Sequence, residues 1–262
     1  GMLLAQNAIR DGLKAKVESV MANEKATDEM KAACKEWLDT FGIGALNGTA
    51  ADKLVAALDG VDCDVCRDIV KNKDFLAKKS QWVFGGDGWA YDIGFGGVDH
   101  VLASGKDINI MVYDTEVYSN TGGQSSKATK TGAVAQFAAG GKDVKKKDLA
   151  SIAMSYGYVY VAQICMGADM AQTVKAIAEA EAYPGPSLII AYAPCINHGI
   201  KKGMDKAQTE EKLAVECGYW NNFRYNPAAE KKFTLDSKAP KLETYQDFLK
   251  GEVRYMSLAM KN

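Results

Sequence analysis

The chain has 262 residues, of which 47% are hydrophobic and 25% are charged, and its formal net charge is −1 at pH 7. This composition is typical of a globular protein with one large domain, or one domain with a smaller attachment. The near-zero charge excludes an extended basic surface for nucleic acid and a polybasic patch for membranes. Since there is no long apolar run and no signal-peptide pattern, we expect a cytoplasmic protein that binds neither nucleic acid nor membrane.

Residues 1–80 have apolar residues at helical spacing, and we predict that they form a helical lead-in to the main domain. Four helices are expected, within residues 1–20, 30–41, 54–58 and 69–76. The lead-in contains Cys63 and Cys66, whose Cys-x-x-Cys spacing also occurs in metal and redox sites. Because no second cysteine pair accompanies them, we interpret both as incidental thiols.

Strands alternate with helices in residues 81–262, which we predict to be one domain. Four apolar runs are predicted to be buried strands, at residues 82–84, 108–113, 158–164 and 187–192. Helices are predicted between them, at residues 89–104, 147–156 and 169–182. This alternation indicates an α/β fold with a mostly parallel sheet flanked by helices on both faces.

The remaining segments have weaker patterns. Helices are predicted at residues 208–217 and 244–260, and irregular chain at residues 219–227. The charge run of residues 142–148 is predicted to be a solvated loop.

Gly86-Asp87-Gly88 follows directly after the first predicted strand of this domain and precedes a predicted helix. Glycines there let the backbone come close to a phosphate, and a helix N-terminus offers free N–H groups. An aspartate at that position repels a bare phosphate, whereas a magnesium ion between them binds both. Taken alone, so short a pattern more often means a plain strand-to-helix turn.

The second predicted strand of the domain leads into Asp114-Thr115-Glu116-Val117 and a long loop rich in Ser, Thr, Asn and Gly. Adjacent parallel strands end at the same edge of a sheet, so Thr115 is expected to meet Asp87. The Thr115 hydroxyl and the Val117 carbonyl would then share a magnesium ion with Asp87. The alternative is an ordinary polar turn, which the length of the loop and its place at a strand end disfavour.

Several segments together resemble the pyruvate:ferredoxin (flavodoxin) oxidoreductases, a family of thiamine-diphosphate enzymes. The segments are GDGWAYDIG (86–94), DTEVYSNTGGQSSK (114–127), YGYVYVA (156–162), PGPSL (184–188) and AYAPCIN (191–197). Most thiamine-diphosphate enzymes have Asn-Asn where this chain has Asp114-Thr115. The resemblance covers residues 80–240, and it implies that the domain has the thiamine-diphosphate-binding fold.

The resemblance also implies a role for each residue of the two strand-end motifs. It implies that Mg²⁺ is bound by Asp87, Thr115 and the carbonyl of Val117. It implies that the cofactor's diphosphate lies along Gly86, Gly88, Trp89 and Ala90. Asn120 is the implied catalytic residue, which faces the substrate side of the thiazolium ring and can donate its amide to pyruvate or to a developing oxyanion.

Cys195 matches the family's last thiolate ligand to a [4Fe–4S] cluster. Such a cluster needs four cysteine ligands, and the motifs that carry the other three have no counterpart in this sequence. The resemblance therefore implies that Cys195 binds a cluster only in a full-length enzyme. Considered alone, a lone cysteine after a strand is more often a small buried hydrophobe. The role of His198, three residues later, stays open.

The implied activity is the oxidative decarboxylation of pyruvate to acetyl-CoA and CO₂. Electrons then pass through iron–sulfur clusters to ferredoxin or flavodoxin, and coenzyme A takes the acetyl group. The implied partners also include the remaining domains of a longer parent chain and a second copy in a homodimer. We expect the chain to be inactive alone, because the family's cofactor-activating glutamate comes from another domain.

Two alternatives remain open at this point. One is the thiamine-binding subunit of another 2-oxoacid:ferredoxin oxidoreductase, specific for 2-oxoglutarate or a branched oxoacid. The other is a non-catalytic packing or dimerisation module.

Overall fold

The computed structural model describes residues 1–259 of the chain. The described chain divides into two compact units, Gly1–Gln81 and a second that begins at Trp82. The predicted closing helix ends at residue 260, and the predicted domain at residue 262, so both ends lie outside the described residues. Within the described part, no helix is both long and apolar enough to cross a membrane.

The first unit consists of helices, as the apolar spacing predicted. These are α1 (Met2–Met21), α2 (Asp28–Thr40), α3 (Gly44–Leu58), α4 (Asp64–Lys71) and a short 3₁₀ turn at Lys73–Phe75. Their apolar stripes meet in one core, whose most enclosed large side chains include Leu13, Val17, Trp37, Leu54, Leu58, Ile69 and Leu76. Burial of these stripes stabilises the helices, because most helical stability in proteins comes from the packing of an apolar face.

The second unit is built on a six-stranded sheet and a separate two-stranded ribbon. The strands are β1 (Trp82–Gly86), β2 (Asn109–Asp114), β3 (Val117–Tyr118), β4 (Gln124–Ser125), β5 (Tyr160–Ile164), β6 (Ser187–Tyr192), β7 (Phe223–Tyr225) and β8 (Phe233–Leu235). The large sheet has the order β1-β2-β6-β5-β7-β8. Its first four strands are parallel, and β7 and β8 add to it in antiparallel direction.

Helices cover both faces of this sheet. They are α5 (Phe95–Ala103), α6 (Leu149–Met154), α7 (Met170–Ala182), α8 (Ala207–Glu216), α9 (Tyr245–Lys250) and α10 (Val253–Ala259). Alternate strand residues point to opposite faces, so Ile110 and Val112 pack with α5 and α6 while Met111 packs with α7. The predicted α/β class, with a mostly parallel sheet and a helical N-terminal segment, is confirmed.

The predicted helix at residues 89–104 is two pieces in the structure. A π-helical turn at Gly88–Ile93 precedes α5. Its characteristic hydrogen bond spans five residues, from the Gly94 N–H to the Trp89 carbonyl at 2.8 Å. Single π-turns are frequent at functional sites. Periodicity does not distinguish such a turn from an α-helical turn, because the two differ by one residue of spacing.

The C-terminal part departs from the sequence prediction in two places. Residues 219–227 are not entirely irregular, because they contain β7, which is stabilised by pairing with β5. A strand of three residues is too short for an alternating pattern to identify. The predicted helix at 244–260 is interrupted between α9 and α10, where the Gly251 carbonyl accepts the Lys201 N–H at 2.9 Å.

Candidate cofactor site

The tips of β1 and β2 bring Asp87 and Thr115 together at the carboxyl end of the sheet. The two strands are parallel neighbours whose register pairs Gly86 with Tyr113. The Thr115 hydroxyl donates to Asp87 Oδ1 at 2.8 Å, and the Thr115 backbone N–H donates to the same oxygen at 3.2 Å. The ends of the two strands therefore lie next to each other at the same edge of the sheet, as expected for neighbouring parallel strands.

Further oxygen atoms surround that point. The Thr115 hydroxyl lies 3.0 Å from the Val117 carbonyl and 2.5 Å from the Ser119 hydroxyl. Ser126 donates its hydroxyl to the other oxygen of Asp87 at 2.5 Å. Sequence reasoning missed Ser119 and Ser126, because serines in a polar loop carry no signal of their own.

These oxygens are suited to a magnesium ion that also binds phosphate. Neighbouring oxygens held at roughly 2.1 Å from one octahedral Mg²⁺ lie about 3 Å apart. The separations from Thr115 Oγ1 to Asp87 Oδ1 and to the Val117 carbonyl are 2.8 and 3.0 Å, close to that spacing. The described residues contain no group of three or more His, Cys, Asp or Glu side chains that could hold a metal. A cation here would combine the Asp87 carboxylate with the neutral oxygens of Thr115 and Val117 and with oxygens from a ligand.

The environment of Asp87 is unfavourable for an isolated negative charge. The side chain is fully buried. Burial, together with the nearby Asp114 carboxylate, raises the pKa of Asp87 to about 7, although hydrogen bonds from Ser126 and Thr115 oppose the rise. A bound cation would remove this penalty, because an adjacent positive charge favours the ionised carboxylate.

A cavity of about 490 Å³ opens beside the two strand tips. Seven of the residues singled out in the sequence line it: Gly86, Asp87, Gly88, Trp89, Thr115, Val117 and Asn120. Ala90 does not line the cavity; its side chain is fully buried in the core beneath. A Cβ atom at Gly88 would lie 2.5 Å from the Tyr118 ring, so only glycine fits at this position without a shift of the ring.

Cys195 and His198 follow β6, the strand next to β2. Cys195 is buried, and its sulfur accepts hydrogen bonds from the backbone and side chain of Asn197. His198 Nε2 donates to the Thr115 carbonyl at 2.7 Å. Burial and the Arg254 guanidinium lower the pKa of His198 to about 3, so its ring is neutral and its Nδ1 can accept the Cys195 N–H at 3.5 Å. His198 thus connects the segment of Cys195 to the loop that carries Thr115.

Cys63 and Cys66 lie in the first unit, at the start of α4. All six cysteines of the chain are free thiols. Hydrogen bonds from the backbone and side chain of Cys66 lower the pKa of the Cys63 thiol. The structure places no other cysteine pair beside them that would complete a metal site among the described residues.

Lys146 contradicts the prediction that residues 142–148 form a solvated loop. Its side chain is only 16% exposed and lies between two fully buried carboxylates, 2.7 Å from Asp114 and 3.1 Å from Glu116. Tyr91 also donates its hydroxyl to Asp114 at 2.8 Å. A run of charged residues is usually exposed, and nothing in the local sequence indicates that this lysine has buried partners.

The chain is similar in sequence to known proteins. Residues 70–191 match the family described as thiamine pyrophosphate enzyme, C-terminal TPP binding domain. A pyruvate-flavodoxin oxidoreductase from Klebsiella pneumoniae is 54% identical over 98% of this chain and 22% of its own length. A pyruvate:ferredoxin oxidoreductase from Moorella thermoacetica is 54% identical over 98% of this chain and 23% of its own.

The chain is homologous to the thiamine-pyrophosphate-binding part of the pyruvate:ferredoxin and pyruvate-flavodoxin oxidoreductases, as the sequence resemblance predicted. It spans less than a quarter of the length of these relatives. Among solved structures, a 2-oxoglutarate:ferredoxin oxidoreductase from Magnetococcus marinus aligns with 83% of this chain and 72% of its own, with 19% identity and a TM-score of 0.45. That structural similarity is too low to support any inference about function.

Proposed function

We propose that this domain holds thiamine diphosphate through a magnesium ion bound by Asp87, Thr115 and the Val117 carbonyl. The carrying observation is that the Thr115 hydroxyl, at the tips of two adjacent strands, lies 2.8 Å from Asp87 Oδ1 and 3.0 Å from the Val117 carbonyl, the spacing of neighbouring ligands of one octahedral ion. Diphosphate oxygens and water would complete the octahedron. The cofactor's diphosphate would lie along the backbone of Gly86, Gly88, Trp89 and Ala90, beside the free N–H groups of the π-helical turn.

The domain would serve an enzyme that oxidatively decarboxylates pyruvate to acetyl-CoA and CO₂. Support comes from the activities for which the relatives are named and from the length of those relatives, which leaves room for further domains. Thiamine diphosphate supplies the electron-accepting carbon chemistry when bound. Asn120 lies at the exposed rim of the cavity, where its amide would donate to an oxygen of the 2-oxo acid.

Electron transfer would depend on parts of a longer chain. A [4Fe–4S] cluster takes four thiolates, so Cys195 would contribute one ligand only in the full-length enzyme. Electrons would leave through such clusters to ferredoxin or flavodoxin, and coenzyme A would accept the acetyl group. We therefore expect no turnover of pyruvate by the 262-residue chain alone. A homodimeric state remains a prediction of the resemblance, and a cytoplasmic location remains a prediction from the sequence itself.

Titration calorimetry of the chain with thiamine diphosphate, with and without Mg²⁺, tests the cofactor site. We expect binding that requires Mg²⁺ and that the Asp87→Asn substitution abolishes, because Asn supplies no negative charge to the ion. Asp169→Asn is the matched control, since Asp169 caps α7 by accepting the Gln172 N–H and asparagine caps a helix equally well. Absence of Mg²⁺-dependent heat in the unmodified chain would instead support a packing module without a cofactor.

A further inference from the structure

Glu116 separates the two proposed ligands Thr115 and Val117 and has an unusual backbone. Its φ is 58°, and among residues 1–259 the only other non-glycine residue with positive φ is Phe137. A glutamate in this left-handed region is strained, and it keeps this conformation only where its surroundings enforce it. Glu116 is also fully buried, so its carboxylate needs charged or hydrogen-bonding partners.

The carboxylate has three such partners from distant parts of the chain. Lys146 Nζ lies 3.1 Å from one oxygen, and an Arg254 guanidinium nitrogen lies 2.8 Å from the other. The Tyr219 hydroxyl donates to that second oxygen as well. Arg254 is itself held by Glu252, whose carboxylate lies 2.6 Å from Arg254 Nε. We call Glu116, Lys146, Tyr219 and Arg254 the Glu116 clamp.

The backbone around Glu116 is fixed on both sides. The Glu116 N–H donates to Asp114 Oδ1 at 3.2 Å, and the Glu116 carbonyl accepts the Thr129 hydroxyl. The carbonyl of Thr115, the preceding residue, accepts a hydrogen bond from His198 Nε2. The Thr115 hydroxyl contacts Asp87 Oδ1, and the Val117 carbonyl lies 3.0 Å from that hydroxyl.

We infer that Glu116 is a positioning residue for the cofactor's metal ion, and that the clamp holds it in the left-handed turn that aims Thr115 Oγ1 and the Val117 carbonyl at one point. This inference rests on the proposed magnesium site. In a relaxed turn with negative φ at residue 116, the direction of the Val117 carbonyl relative to the Thr115 hydroxyl changes. Mg²⁺ requires near-ideal octahedral geometry, whereas Ca²⁺ accepts irregular sets of oxygen ligands. A loosened turn should therefore weaken the binding of Mg²⁺ more than the binding of Ca²⁺.

The test compares Tyr219→Phe and Arg254→Gln with the unmodified chain. Tyr219→Phe removes a single hydroxyl from the clamp, and Arg254→Gln removes the guanidinium. Arg224→Gln is the matched control, because Arg224 on β7 is 13% exposed and bridges Glu179 and Asp236 instead. Each chain is measured for amide hydrogen exchange of residues 115–125 without ligand, and for Mg²⁺ and Ca²⁺ affinity in the presence of thiamine diphosphate.

Both clamp variants are expected to exchange the loop amides about tenfold faster, because a local opening then costs less. We also expect their Mg²⁺ affinity to fall about tenfold while their Ca²⁺ affinity falls less than about threefold. Arg224→Gln should change neither the amide hydrogen exchange of residues 115–125 nor the ratio of the Mg²⁺ and Ca²⁺ affinities.

Unchanged loop exchange in both clamp variants overturns the inference, and so does an equal loss of affinity for the two ions. If circular dichroism shows that Arg254→Gln is unfolded, Tyr219→Phe decides alone. If the unmodified chain shows no Mg²⁺-dependent binding, the proposed function fails. The loop exchange then still establishes whether the clamp holds the turn.

Discussion

Replacement of Lys146 by methionine tests how much the ion pairs of this lysine with Asp114 and Glu116 stabilise the protein. Lys146 Nζ contacts both Asp114 and Glu116, and both carboxylates are fully buried. Methionine fills a similar volume but leaves two carboxylates without this cation. Removal of one partner from a buried ion pair typically costs about 3–5 kcal/mol. For a unit of this size the loss corresponds to a fall in melting temperature of roughly 6–20 °C.

Urea unfolding and scanning calorimetry of the second unit measure this effect. Lys145→Met is the matched control, because the preceding lysine is exposed and its replacement should change the free energy of unfolding by less than about 0.5 kcal/mol. The Lys146 variant should also lose Mg²⁺-dependent cofactor binding, since Glu116 then lacks one of its two cations. A loss below about 1 kcal/mol for Lys146→Met would show that water or the remaining Arg254 compensates, and the reasoning would be wrong.

Two further predictions concern close packing in each unit. Gly88→Ala should weaken Mg²⁺-dependent binding of thiamine diphosphate by at least about tenfold in calorimetry, because the new Cβ would lie 2.5 Å from the Tyr118 ring beside the cavity. Gly96→Ala, where nothing lies within 4 Å of the added Cβ, should bind normally, and equal behaviour of the two variants would contradict the steric argument. Trp37→Ala should destabilise the helical unit by about 3–5 kcal/mol in urea unfolding, since its ring is fully buried and its indole N–H donates to the Leu76 carbonyl. Leu46→Ala, at a site 55% exposed, is the control, and a comparable loss there would show that burial is not the cause.

The sheet and the strand tips were predictable because their signals are local. An apolar run such as residues 187–192 must be buried on both faces of the sheet, and the glycines at positions 86 and 88 mark the point where β1 gives way to a helix. Once the strands are taken as parallel neighbours, the meeting of Asp87 with Thr115 follows from topology. No distance information was needed for this step.

The errors arose where long-range contacts override local pattern. β7 is a strand because β5 offers it hydrogen-bonding partners, and no alternation of three residues could show this. Lys146 lies in a charge run that resembles a solvated loop, and its burial depends on two acidic residues some thirty positions earlier in the chain.

The loop that carries the proposed ligands Thr115 and Val117 shows the same difference between local sequence signals and long-range contacts. The motif after β2 contains the oxygens, but a motif cannot hold a strained turn in place by itself. The charges that hold Glu116 come from the loop before α6 and from α10, close to the end of the described chain. His198, which follows β6, holds the neighbouring carbonyl of Thr115. A local sequence signature therefore predicts which ligands the site could bind, whereas the shape of the turn depends on residues from thirty to more than a hundred positions away.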